Sequence, residues 1–128
     1  MVEQLARESQ APEPCAWALA SVGFAAWLEG RWRVSLQKLD AAAELLSTQC
    51  AGVDFETSNA RFFAVGNVYM LGELAELSRR ARILLRSAEQ RGHHLHAIAA
   101  ACSLSTLGWL VNDEVYTVEA VAARSWAT

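Results

Sequence analysis

The chain has 128 residues, enough for one domain with a real core. With 53% of its residues hydrophobic, 20% charged and only two prolines, it carries too much apolar surface to stay disordered, and its composition favours helix. Eleven Lys plus Arg against fourteen Asp plus Glu leave a charge of -3, without the basic excess that binding a nucleic-acid phosphate backbone needs, which sets nucleic acid aside as a partner.

The N-terminus carries Glu3, Arg7 and Glu8 where a secretion signal needs a basic start and an apolar run. Cys15, Cys50 and Cys102 are an odd number at wide spacing, which suits reduced buried thiols and a cytoplasmic compartment. Residues 1–14 read as a lead-in: Met1–Ser9 allow a helical turn, but Ala11-Pro12-Glu13-Pro14 interrupts it, because proline lacks the amide donor and restricts its predecessor.

From Cys15, a helical domain is predicted over residues 15–128. The first helix runs from Cys15 to Gly30, with Trp17, Leu19, Val22, Gly23, Ala26 and Trp27 spaced by three and four. The second spans Arg31–Gln49, its stripe being Val34, Leu36, Leu39, Ala42, Leu45 and Leu46. A break at Ala51-Gly52-Val53-Asp54 leads to a third helix through Phe62, Phe63, Val65, Val68, Tyr69 and Leu71. After Gly72, a fourth helix carries Leu74, Leu77, Ala81, Leu84, Leu85 and Ala88 and ends near Arg91-Gly92. A fifth helix is predicted over Leu95–Val111, an Asn112-Asp113 turn follows, and Val115, Val118, Val121, Ala122 and Trp126 suggest a sixth. The uncharged stretch Leu95–Asn112 is about as long as a membrane span. Its His96, Ser103, Ser105 and Thr106 favour a buried helix and no membrane contact, with an inserted hairpin as the alternative.

The turns Glu29-Gly30-Arg31-Trp32, Leu71-Gly72-Glu73-Leu74 and Asn112-Asp113-Glu114-Val115 superimpose at a period of about 42 residues, within the range of helical arrays. The expected fold is therefore all-α: about three antiparallel hairpins, at roughly 15–50, 54–91 and 93–127, stacked as a right-handed superhelix fragment. The first hairpin resembles the tetratricopeptide motif. Gly23, Gly30, Trp32, Ser35, Leu39 and Ala42 stand where that motif has its small, turn, aromatic, small, bulky and small residues. The period exceeds the motif's own length of about 34 residues, which predicts longer helices. The segments Ala26-Trp27-Leu28-Glu29-Gly30-Arg31-Trp32, Leu39-Asp40-Ala41-Ala42-Ala43-Glu44-Leu45-Leu46, Ala60-Arg61-Phe62-Phe63, Leu71-Gly72-Glu73-Leu74-Ala75-Glu76-Leu77 and Gly108-Trp109-Leu110 are similar to the C-terminal TPR-like region of large bacterial serine/threonine protein kinases that also carry an ATPase module. That resemblance implies a regulatory fragment of a signalling protein. The kinase and nucleotide-binding motifs themselves are missing: there is no His-Arg-Asp, no Asp-Phe-Gly and no Walker loop.

The candidate site residues belong to binding. The aromatics Trp17, Phe24, Trp27, Phe62, Tyr69 and Trp109 are expected mostly in the core; any left exposed, Trp27, Phe62 and Tyr69 being the candidates, would form with Asn59 and Asn67 a peptide groove of apolar anchors and side-chain amides. Arg79, Arg82 and Arg86 form a stripe able to hold an acidic or phosphorylated segment, although a solvated face is the favoured reading. His93-His94-x-His96 lacks a second ligand cluster, so no metal or other cofactor is expected. No nucleophile stands beside a base, which argues against an enzyme. The expected function is a non-catalytic scaffold for a protein or peptide, with a small-molecule sensor region of a signalling or transcription-regulating ATPase as the alternative. Self-association through uncapped ends, including Val121 and Trp126, is also expected.

Overall fold

A computed structural model describes residues 11–126, with side chains through Ala123 apart from Val115. Among the described residues there are seven helices and no strand, so the chain is all-α. In order they are α1 (Pro12–Leu28), α2 (Trp32–Gln49), α3 (Asp54–Met70), α4 (Leu74–Gln90), α5 (His94–Cys102), α6 (Thr106–Leu110) and α7 (Val115–Trp126). By contacts the chain divides into two compact units, Met1–Asn67 and Val68–Thr128. The division falls within α3, which therefore contributes to both.

In the first unit, α1 begins at Pro12, three residues before the expected start. Proline is compatible with the opening turn, where its missing N–H would have had no partner, and the Cys15 amide already bonds back to the Ala11 carbonyl. Met1–Ser9, expected as a helical turn, lie outside the described residues. Helices α1 and α2 form a tight hairpin through Gly30, whose φ of 73° favours glycine, and Trp27 packs on Trp32 across the turn. On α1 the small residues are the ones that face inward. Ala16, Ala18, Ala20, Gly23 and Ala26 are buried, while Trp17 is 43% exposed. A helix that is apolar on every side gives periodicity nothing to discriminate, and the small side wins because it lets α2 approach closely. A Cβ on Gly23 would lie 2.7 Å from Leu39 Cγ. On α2 the buried residues are Ser35, Leu36, Leu39, Ala42, Ala43 and Leu46, close to the stripe read from sequence.

In the second unit, α4 buries Leu77, Ala81, Leu84, Leu85 and Ala88 as expected, together with Ser78, while Leu74, also placed on the stripe, is exposed at the helix start. It packs against α5 and α6, and α7 closes on both of these. The fifth predicted helix is not continuous. It breaks at Ser103–Ser105 into α5 and α6, because hydroxyls and an indole take over the carbonyls that ending α5 leaves free. Ser103 Oγ donates to the Ala99 carbonyl, Thr106 Oγ1 to Ala101 at 3.1 Å and Trp109 Nε1 to Ala100 at 2.9 Å. Among the described residues no helix is long and apolar enough to cross a membrane. The turn into α7 places Asp113 at φ 56°, matching the left-handed Gly30 and Gly72 at spacings of about 42 residues. Val121, expected to lie open at the C-terminal end, is buried, and the Trp126 side chain lies outside the described residues.

Candidate binding surfaces

Aromatic rings from three helices meet in the first unit. Phe24 and Trp27 come from α1, Trp32 opens α2, and Phe62 and Phe63 are successive residues of α3. Phe63 is the hub, edge-on to Phe24 at 5.0 Å, Phe62 at 5.5 Å and Trp27 at 5.7 Å between centroids, while Trp27 meets Trp32 at 5.1 Å. Such edge-to-face geometry sets the positive rim of one ring against the negative face of the next. All five rings are partly exposed, so the cluster forms part of the surface. At its edge, Arg31 bonds Glu29, with guanidinium nitrogens 2.5 and 2.6 Å from one carboxylate oxygen.

Of the aromatic candidates, the structure thus brings together Trp27 and Phe62. Asn59 is half-buried one turn before Phe62 on α3. Tyr69, also partly exposed, belongs to the second unit. Asn67 is fully buried, its amide donating to Ser35 Oγ, so it is spent inside the unit and offers nothing to a groove. Trp109 is also buried. Phe63 and Trp32 were missed as site residues. The signal for Phe63 was present in the pair Phe62-Phe63, because neighbouring residues on a helix point in directions about 100° apart and cannot share one stripe.

The arginine stripe is largely engaged within the second unit. Arg79 grips Glu76 with two nitrogens, at 2.7 and 2.6 Å, and Arg80 reaches the same carboxylate at 2.6 Å. These hydrogen bonds, Arg79's foremost, hold the Glu76 carboxyl down at about 2, against an opposing push from burial. Arg82 pairs with Glu114 at 2.7 Å, tying α4 to the turn before α7. Arg86 is exposed.

The His93 and His96 rings lie 5.9 Å apart, tilted by 47°, at the start of α5, with His94 exposed. His96 is buried, and burial, then the neighbouring His93, pull it below the ordinary histidine range. Among the described residues no group of three or more His, Cys, Asp and Glu is placed to hold a metal ion. The thiols are less buried than expected: Cys15 and Cys50 are half-buried and Cys102 is exposed.

The fold and these surfaces define a class, an all-α chain of packed helices. Compared with known proteins, the sequence matches no family model, no curated protein and no solved structure.

Proposed function

We propose that the chain is a non-catalytic TPR-like scaffold that binds a peptide segment through the aromatic cluster of α1, α2 and α3, as a regulatory part of a bacterial cytoplasmic signalling protein. The observation that carries the binding role is the partial exposure of five packed rings, Phe24, Trp27, Trp32, Phe62 and Phe63, within one unit. Rings already fixed by their neighbours lose little freedom when a ligand covers them, so their apolar area converts efficiently into affinity. The signalling context rests on the resemblance of the segments from Ala26 to Leu110 to kinase-associated helical arrays.

A random peptide library displayed on phage and selected on the purified chain tests the binding role. The expected outcome is a consensus with apolar anchors at regular spacing, whose binding changes the tryptophan fluorescence. Phe62→Ala and Trp27→Ala should each weaken it by about tenfold or more, in keeping with the loss of a central aromatic contact. Recovery of no consensus, or equal binding by both variants with native circular dichroism, would remove the cluster as the site.

A further inference from the structure

We propose that two asparagine–serine clamps, the buried Asn67 with the buried Ser35 and the exposed Asn112 with the buried Ser78, fix the register of helix packing inside the two units. In the first unit Ser35 on α2 and Asn67 on α3 are both fully buried. The Asn67 amide nitrogen donates to Ser35 Oγ at 2.8 Å and to the Phe63 carbonyl at 3.2 Å. A carbonyl only accepts, so the nitrogen must face Phe63, and the Asn67 Oδ1 is left buried with no partner among the described residues. In the second unit the Asn112 amide donates to Ser78 Oγ at 2.7 Å and to the Gly108 carbonyl at 2.9 Å. Ser78 Oγ itself donates to that carbonyl at 2.8 Å. The two serines are about 43 residues apart and the two asparagines about 45, so the device recurs with the repeat.

The need for such a device follows from the rest of the core. Leu36, Leu39, Ala42, Ala43 and Leu46 of α2, and Ala60, Ala64 and Val65 of α3, are buried aliphatic or small residues that tolerate one another in many pairings. A slide of one helical turn, about 5.4 Å, would trade alanine for alanine or leucine at modest loss. It would also carry the Asn67 amide beyond reach of Ser35 and bury it against aliphatic side chains. Mispaired packings are thereby penalised more than the native one, as with a single polar residue in an apolar helix seam. A buried Oδ1 without a hydrogen-bond partner among the described residues costs stability, and a pair retained at that cost suits a role in specificity.

Urea denaturation, amide NMR spectra and binding of an apolar dye on the full chain test this. Ser35→Ala alone should lower the denaturation midpoint, because Asn67 loses its partner. Adding Asn67→Leu should restore the midpoint to the starting value or above, while the amide peaks broaden or multiply and dye binding rises. Ser78→Ala with Asn112→Ala should produce the same spectral change for residues of the second unit. A Ser35→Ala/Asn67→Leu chain that keeps one sharp peak per amide would overturn the proposal. So would one that unfolds, since the clamp would then be supplying stability rather than register.

Discussion

A missing side chain sets the closest approach in the first unit. At Gly23 a single added methyl would meet Leu39 Cγ at 2.7 Å and Cδ2 at 2.8 Å, and Leu39 is fully buried. Gly23→Ala gains helix propensity worth about 1 kcal/mol but must push α1 off α2, so the expected net result is a loss of about 1 to 3 kcal/mol, read as a lower urea midpoint. Ala42, fully buried on α2, should respond to Ala42→Leu in the same direction and by a similar amount. A Gly23→Ala chain as stable as the parent would mean that α1 and α2 are farther apart than described. Gly108 carries the same constraint in the second unit: a Cβ there would lie 3.2 Å from Ser78 Cα, and backbone cannot step aside as a side chain can.

Charge and polarity decide the behaviour of individual elements. On α4 the Glu76 carboxyl is held at about 2 by Arg79 and Arg80, against an ordinary value of 4.5. Its folded form therefore binds a proton less readily than the unfolded form, and the stability this contributes is present above about 4.5 and lost as the pH falls towards 2. Urea midpoints measured across that window should fall with pH, and Glu76→Gln should flatten that part of the curve. The group is partly exposed and screened, so added salt should flatten it too. At the start of α5 the depressed His96 acts with the same sign at higher pH. The neutral imidazole fits its buried place, so stability should be complete above about 6.5 and decline below it, and His96→Gln should remove that decline. Helices were legible in the sequence where one side was apolar and the other charged, as on α2 and α4, and where glycine marked a turn, as at Gly30 and Gly72. They were less legible in two places. The buried side of α1 could not be told from its neighbours, since Trp17 and Ala16 are both apolar. The break between α5 and α6 depends on Ser103, Thr106 and Trp109 reaching particular carbonyls, a three-dimensional coincidence that spacing alone does not carry.

For the whole molecule, charge bears on the kind of partner. The arginines that looked like a docking stripe are mostly satisfied by carboxylates of the same unit, Arg79 by Glu76 and Arg82 by Glu114. An acidic ligand would have to displace those carboxylates, gaining only the difference between two similar ion pairs. The aromatic cluster has no such internal competitor, because a ligand there removes apolar area from water. Candidate site residues were thus legible as residue types, while which of them remain available depends on neighbours more than 30 positions away, as Glu114 is from Arg82. This difference gives a clear expectation for any peptide selected on the chain. Its affinity should change little between about 0.05 and 0.5 M salt, a range over which the screening length of exposed charges falls severalfold. Replacing Arg79, Arg82 and Arg86 together by Gln should leave that affinity nearly intact while lowering the urea midpoint, because Arg82→Gln releases Glu114 and Arg79→Gln weakens the grip on Glu76. Isothermal titration of the parent and triple variant at two salt concentrations reads the affinity, and urea denaturation of both reads the midpoint. A steep loss of affinity with salt, or its abolition in the triple variant while Phe62→Ala binds normally, would move the binding surface from the aromatic cluster of the first unit to α4.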